Sequence, residues 1–329
     1  MKFKKIKDKI ILFLKENYKQ LIMLVLLMIA VSIELPYYVE APGGVINLTK
    51  RIDSKYDRKK GSLNMLYVTE YKGNIVTVLL SKFVKTWDLY EISKQQISNE
   101  TSTDIYNRNR VMLENSVQNA TIAAYREAGK NVTITNKRNI VIAAIKDNGL
   151  KIGDELLSID SKEIETIKTI KDYLGSLNEG DTIKVKLKRN KKEKTIDITL
   201  DKDKLLGVMI VTNYDYDLED ELDIKFKSGE GGSSGGLVLS LGIYSEITNI
   251  DLLKGRDVAG TGTIDIDGKV GEIDGIKYKI AGAVKNKMDI VLVSPENYEE
   301  AKKVIEDNNY KITLVKVSTL KEAIEYLQK

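Results

Sequence analysis

The chain of 329 residues contains no histidine and no cysteine. Without histidine there is no Ser-His-Asp or Cys-His catalysis, no HExxH metalloprotease site and no imidazole metal ligand. Without cysteine there is no disulfide framework, zinc ribbon, iron–sulfur cluster or thiol nucleophile. Hydrolytic or acid–base chemistry is left to carboxylates, hydroxyls and lysine amines. Only 3 prolines and 1 tryptophan occur, and neither scarcity excludes a function class. What is present, 42% hydrophobic and 30% charged residues, is globular composition. The length suits about two or three domains.

The net charge of +4 is unevenly spread. Residues 1–20 carry seven lysines against Asp8 and Glu16, or +5, and the remaining 309 residues sum to −1. The basic character belongs to the N-terminus and gives no nucleic-acid-binding face. Directly after it comes Leu21–Ile33, thirteen residues without a charge. A bilayer core asks for about 20 helical residues. The run reaches that length only if Glu34 to Tyr38 are included, with Tyr37 and Tyr38 as interfacial aromatics and Lys15 and Lys19 snorkelling at the other end. The expectation is a membrane anchor with a cytoplasmic N-terminus and the rest of the chain outside. A cleaved signal peptide, with Ala30-Val31-Ser32 as a small-x-small site, and a buried core helix are the alternatives.

Residues 36–62 read as an extended, charged entry segment. Leu63–Val68 and Ile75–Leu80 have strand-like composition and suggest a hairpin. Asp104–Gly129 has helical spacing and a glycine stop. From about Val132 the pattern becomes two strands, the turn-strand GLKIGDELLSID at Gly149–Asp160, a helix through Ile167 to Leu177, and a final hairpin of Thr182–Leu187 and Lys194–Leu200. This order resembles a PDZ domain of the circularly permuted type found in bacterial proteases. The resemblance implies a groove in which an extended peptide adds as a strand to an open sheet edge.

Ser228–Gly236 reads SGEGGSSGG and runs straight into an apolar helix beginning at Leu237. Alone, such a run is a flexible linker. Ending in a buried helix, it is a glycine-rich turn delivering serines to a helix N-terminus, where backbone N–H groups stabilise anionic oxygens. A P-loop is excluded, since no Lys-Ser/Thr follows the glycines. Further on, Val258–Lys279 reads VAGTGTIDIDGKVGEIDGIKYK. The two segments together resemble the proteolytic domain of Lon-type serine proteases, in particular the membrane-anchored, PDZ-bearing Lon-like proteases of Gram-positive bacteria. The family's Gly-Gly-Pro-Ser-Ala-Gly-Leu turn corresponds to Gly231–Leu237, which sets Ser234 on the nucleophile. The string Thr261–Ile264, Gly268–Val270 and Ile273–Lys279 sets Lys279 on the catalytic base and Thr261 on a residue that hydrogen-bonds near the dyad. Gly232 and Ser233 belong to the supporting turn, whose N–H groups are the expected oxyanion donors. Ser233 replaces the family proline and Gly235 the family alanine, so a looser turn is expected, and Ser233 is a rival nucleophile by one residue.

Independently of any family, a serine hydroxyl needs a neutral base, and a histidine-free chain offers a buried lysine. Neutrality near pH 7–8 asks for a depression of about three pH units, or about 4 kcal/mol. No nucleotide-binding motif, cofactor motif or metal-ligand cluster accompanies the site. The expected fold is α+β. An N-terminal transmembrane helix (1–35) and a linker packing with the protease domain (36–130) precede a PDZ-like β-rich domain (131–203) and a Lon-type α/β proteolytic domain (204–329). The expected function is an ATP-independent serine endopeptidase acting on peptides or unfolded protein segments, with membrane lipid as a second partner. Oligomerisation is left open. The alternative is an inactive, tethered PDZ adaptor.

Overall fold

A computed structural model describes residues 2–52, 60–91, 100–219 and 222–329 of the protein. The expected entry segment 36–62 falls partly outside them, at residues 53–59. The chain divides into two compact units, residues 1–42 with 69–95, and residues 43–68 with 96–329.

In the first unit, helix α1 spans Lys2–Ser32. Its apolar residues from Ile22 to Ile29 are all exposed. Among the described residues no helix is long and apolar enough to cross a membrane. The reason lies in where α1 stops. The chain becomes strand β1 (Glu34–Asn47) immediately after it, so the last eighteen residues of the helix still include Lys15, Glu16 and Lys19. Within this unit β1 pairs antiparallel with β3 (Asp88–Glu91), from Tyr37 opposite Glu91 to Glu40 opposite Asp88. Strand β2 runs Ser62–Asn74 and is followed by α2, Ile75–Ser81. The expected hairpin is therefore replaced by a strand and a helix. Asn74 and Thr77 form a reciprocal capping box, which starts a helix despite the β-branched sequence that follows.

The second unit contains two hydrophobic cores. Helix α3 (Ser102–Glu127) opens it, and the five-stranded sheet that follows comprises β4 (Val132–Ala144), β5 (Glu155–Ile159), β7 (Thr182–Arg189), β8 (Lys192–Thr199) and β9 (Val208–Leu218). Its order is β8-β7-β5-β4-β9, with the short β6 (Lys162–Glu163) pairing β5. The two strand-like stretches read from Val132 to Ile145 are one strand carrying two register shifts. Helix α4 (Ile167–Gly175) buries Ile170 and Leu174 against Val141, Val185 and Leu187. The sheet reaches Leu218, beyond residue 203, because β9 pairs with β4 along its whole length and forms one edge.

The second core is a three-layer sandwich. Strands β10 (Asp257–Gly260), β13 (Ile290–Val293) and β14 (Thr313–Lys316) join β2 in the parallel order β14-β13-β10-β2. Strand alternation sends Leu63, Met65, Val258, Ile290 and Leu292 to one face. That face packs on α3, α5 (Gly236–Thr248) and α8 (Leu320–Gln328). Leu66, Ala259, Val291 and Val293 point the other way, into α6 (Ile276–Lys285) and α7 (Pro295–Asp307). A small ribbon of β11 (Thr263–Ile264) and β12 (Val270–Gly271) links β10 to α6.

Candidate active site

Ser234 lies in the turn immediately before α5, on the α3 side of the sheet. Its backbone is fixed from several directions. The Gly262 N–H donates to the Ser234 carbonyl at 2.9 Å, and the Thr261 hydroxyl donates to the same oxygen at 3.2 Å. Leu237 N–H returns a bond to the Gly262 carbonyl at 3.1 Å. Thr261 is fully buried just beyond the end of β10. The structure thus brings Thr261 to the serine turn, where its hydroxyl holds the serine's own carbonyl.

The preceding residues are anchored to α3. Gly232 N–H donates to the Asn109 carbonyl at 2.9 Å, and the Ser116 hydroxyl donates to the Ser233 carbonyl at 3.2 Å. Gly232 has φ +90°, which favours glycine. Its N–H is committed to Asn109, so Gly232 acts as the bend of the turn and not as an oxyanion donor. Among the described residues the N–H of Ser234 makes no hydrogen bond. It sits at the N-terminus of a 13-residue helix, where peptide dipoles favour negative charge.

The turn is not loose where the alanine of the similar motif is missing. A Cβ added at Gly235 would fall under 3.0 Å from Met65 Sδ, with Met65 Cγ at 3.4 Å. The thioether of Met65 occupies the space a methyl group would need. Gly236 is equally constrained, since an added Cβ would lie 2.8 Å from Ile264 Cγ2 and 2.9 Å from the Ile264 nitrogen.

A cavity of about 170 Å³ opens beside this turn. Ile46, Met65, Val68, Leu113, Phe226 and Leu239 give it an apolar wall, and Ser234, Ser116 and Glu230 add polar groups. Glu230 is ion-paired with Arg51. The cavity escaped the sequence reading because its walls come from six separate stretches of chain.

Lys279 lies in the first turns of α6, on the opposite face of the sheet, and is 4% exposed. Neighbouring Ile276 and Ile280 are fully buried against Leu66 and Ala259, while Lys277 is half-buried. The helix start is pinned against the middle of β2, where a Cβ at Gly275 would lie 3.0 Å from Val68 Cγ2. Ser234 and Lys279 therefore lie in layers on opposite faces of the sheet. Among the described residues no group of acidic side chains could hold a metal ion.

Residues 111–200 match the PDZ domain family, and residues 214–329 match the Lon protease C-terminal proteolytic domain. The Lon protease of Trichlorobacter lovleyi is 29% identical over 116 residues, which is 34% of this chain and 14% of that protein. The Lon protease of Campylobacter jejuni is 33% identical over 96 residues, 29% of this chain and 12% of that protein. The chain thus spans only about one seventh of the length of these relatives. The PDZ domain of the SdrC-like protein from Listeria monocytogenes is 27% identical, covering 24% of this chain and 93% of that structure, with a TM-score of 0.22. The chain accordingly joins a PDZ domain to a Lon-type proteolytic domain, the domain of a serine peptidase family.

Proposed function

We propose that the protein is an ATP-independent serine endopeptidase in which Ser234 is the nucleophile and Lys279 the general base. The observation that supports this is a buried lysine on α6 in a chain without histidine, beside a serine turn held by Thr261. The Ser234 hydroxyl attacks a peptide carbonyl carbon while its proton passes to the Lys279 amine. The oxyanion is stabilised by the Ser234 N–H and the N-terminus of α5. Lys279 then protonates the departing amine, leaving an acyl-serine. Water attacks that ester with Lys279 again taking the proton, and the serine hydroxyl is restored. A substrate side chain enters the apolar cavity beside Ser234.

Substrates are peptides or unfolded segments. Their strand-forming ends pair with the outer edge of β9 over Val208–Ile210, beside the cavity lined by Ala144, Lys146, Lys151 and Asp104. The exposed apolar length of α1 is the part that meets membrane lipid. Its uncharged thirteen residues cover about 20 Å, so attachment draws on the flanking lysines and tyrosines as well.

The decisive experiment compares Ser234→Ala, Ser233→Ala and Lys279→Ala in a peptide-cleavage assay with no nucleotide added. Loss of cleavage in the Ser234 and Lys279 variants alone is expected. An inactive Ser233→Ala beside an active Ser234→Ala would move the nucleophile by one residue. Undiminished cleavage in Lys279→Ala would remove the dyad.

A further inference from the structure

Helix α3 touches both the nucleophile turn and the PDZ sheet, and it does so through polar groups. Toward the catalytic side, the Asn109 carbonyl accepts from Gly232, Ser116 donates to the Ser233 carbonyl, and Asn119 donates to the Ile264 carbonyl at 3.1 Å. Toward the sheet, Asn115 donates to the Thr212 carbonyl at 2.7 Å and to the Asn213 side-chain oxygen at 3.1 Å. Gln118 accepts from the Tyr214 N–H at 2.9 Å. Glu114 and Asp215 both pair with Arg138 of β4. The bonds from Asn115 and Gln118 fall on the outer edge of β9 at Thr212 and Tyr214, while among the described residues no strand pairs with that edge over Val208–Ile210.

The joint is only partly satisfied. Asn119 donates to Asn115 at 3.3 Å, yet the Asn119 Oδ1 and Asn213 Nδ2 atoms are buried with no hydrogen-bond partner among the described residues. Unpartnered buried polar atoms are costly, so any rearrangement that satisfies them shifts the contacts of α3 with β9.

We propose that Asn115, Asn119 and Asn213 are positioning residues. Through them the PDZ sheet sets the backbone of the Ser233–Ser234 turn, and the order of the β9 edge controls how readily Ser234 reacts. The proposal rests on Ser234 being the nucleophile for its kinetic part. Its structural part, coupling between β9 and the turn, stands apart from that assignment. Coupling of this kind is reciprocal. Whatever orders the turn also orders β9.

The test uses the full chain and a fluorophosphonate probe that acylates a reactive serine. Amide exchange is followed at residues 208–216 and at Gly232, Gly236 and Gly262. In Asn115→Ala, which lies away from the cavity, acylation of Ser234 and kcat fall about three- to tenfold with KM unchanged, and exchange at Gly232 and Gly262 quickens. Probe attachment to the parent protein slows exchange at Thr212–Tyr214. Ser116→Thr, which keeps the donating hydroxyl, retains more activity than Ser116→Ala. Asp172→Asn, on the exposed face of α4, changes neither readout. Should Asn115→Ala misfold, Asn213→Ala gives the same comparison from the strand side. Normal acylation and unchanged turn exchange in both asparagine variants would overturn the joint while leaving Ser234 as nucleophile. An unreactive Ser234 in the parent, with turn exchange still responding to Asn115→Ala, would instead overturn the nucleophile and keep the joint.

Discussion

Replacing Gly235 by alanine restores the residue that the similar proteolytic motif carries, and the structure gives the outcome a sign. Gly235 has φ −92° and ψ −1°, a conformation open to any residue, so alanine brings no backbone strain. Taken alone, the loss of chain freedom in the unfolded state would stabilise the protein by about 0.4–1 kcal/mol. Against this, the new methyl group meets Met65 Sδ at under 3.0 Å. Met65 is 7% exposed and packed in the main core. Displacing a packed side chain of this kind costs about 1–3 kcal/mol. The balance is a net loss of about 1 kcal/mol, in urea unfolding of the purified protein. Because the thioether also forms part of the cavity wall, cleavage should slow as well. A double-mutant cycle sharpens the test. Met65→Ala in the parent leaves a void worth about 2–5 kcal/mol, and in the Gly235→Ala background the loss shrinks by about 0.5–3 kcal/mol, since the methyl group refills part of the space. If Gly235→Ala were as stable as the parent, or if the two substitutions were additive, Met65 would not be the counterpart of the missing methyl.

Three further outcomes are expected. Gly232→Ala meets no side chain but forces a Cβ onto φ +90°, so it should lose about 1–2 kcal/mol and misplace the Ser234 carbonyl, seen as a fall in kcat. Under the proposed dyad, cleavage should climb toward alkaline pH as the base loses its proton, because a lysine base acts only when neutral; a flat profile would speak against lysine. Hydrogen bonds from the Thr101 hydroxyl and N–H hold the Asp104 carboxyl below its ordinary 3.8. A lowered folded value adds stability above the ordinary value that is lost as pH falls through the folded one. Amide exchange in the first turn of α3 should therefore quicken below about pH 4, and Asp104→Asn should flatten that response.

The parts of the fold legible in the sequence are those whose burial follows a simple period. Thr182–Leu187 alternates strictly, and β7 buries Ile183, Val185 and Leu187 as that pattern requires. The apolar run after the Gly/Ser segment is the buried helix α5. The β-branched residues of Ile75–Leu80 favour a strand, and the Asn74–Thr77 capping box overrides them and starts a helix. The apolar stretch near the N-terminus lost its membrane-spanning length because nothing in Ile33-Glu34-Leu35 announced a strand. At the site, the turn and the helix bearing Lys279 were visible as motifs. Met65 opposite Gly235 was not, since the two are 170 positions apart. Asn115 and Asn213 read as ordinary surface polar residues, and only the packing of α3 along β9 shows that they are partners, with Asn213 fully buried.

The parallel pairing of β2 with β10 has a consequence for how the protein is made. Ser62 donates to Asp257 at 2.6 Å across 195 positions, and β2 pairs parallel with β10 from Ser62 to Met65. A growing polypeptide therefore completes its entire PDZ sheet, and exposes the Ser234 turn, before the strand that holds Thr261 exists. The lysine helix and β13 come later still. From residue 234 to residue 261 the growing chain carries the serine without its anchoring threonine, and under the proposed dyad a newly made molecule gains activity only late, when long-range pairing closes the sheet.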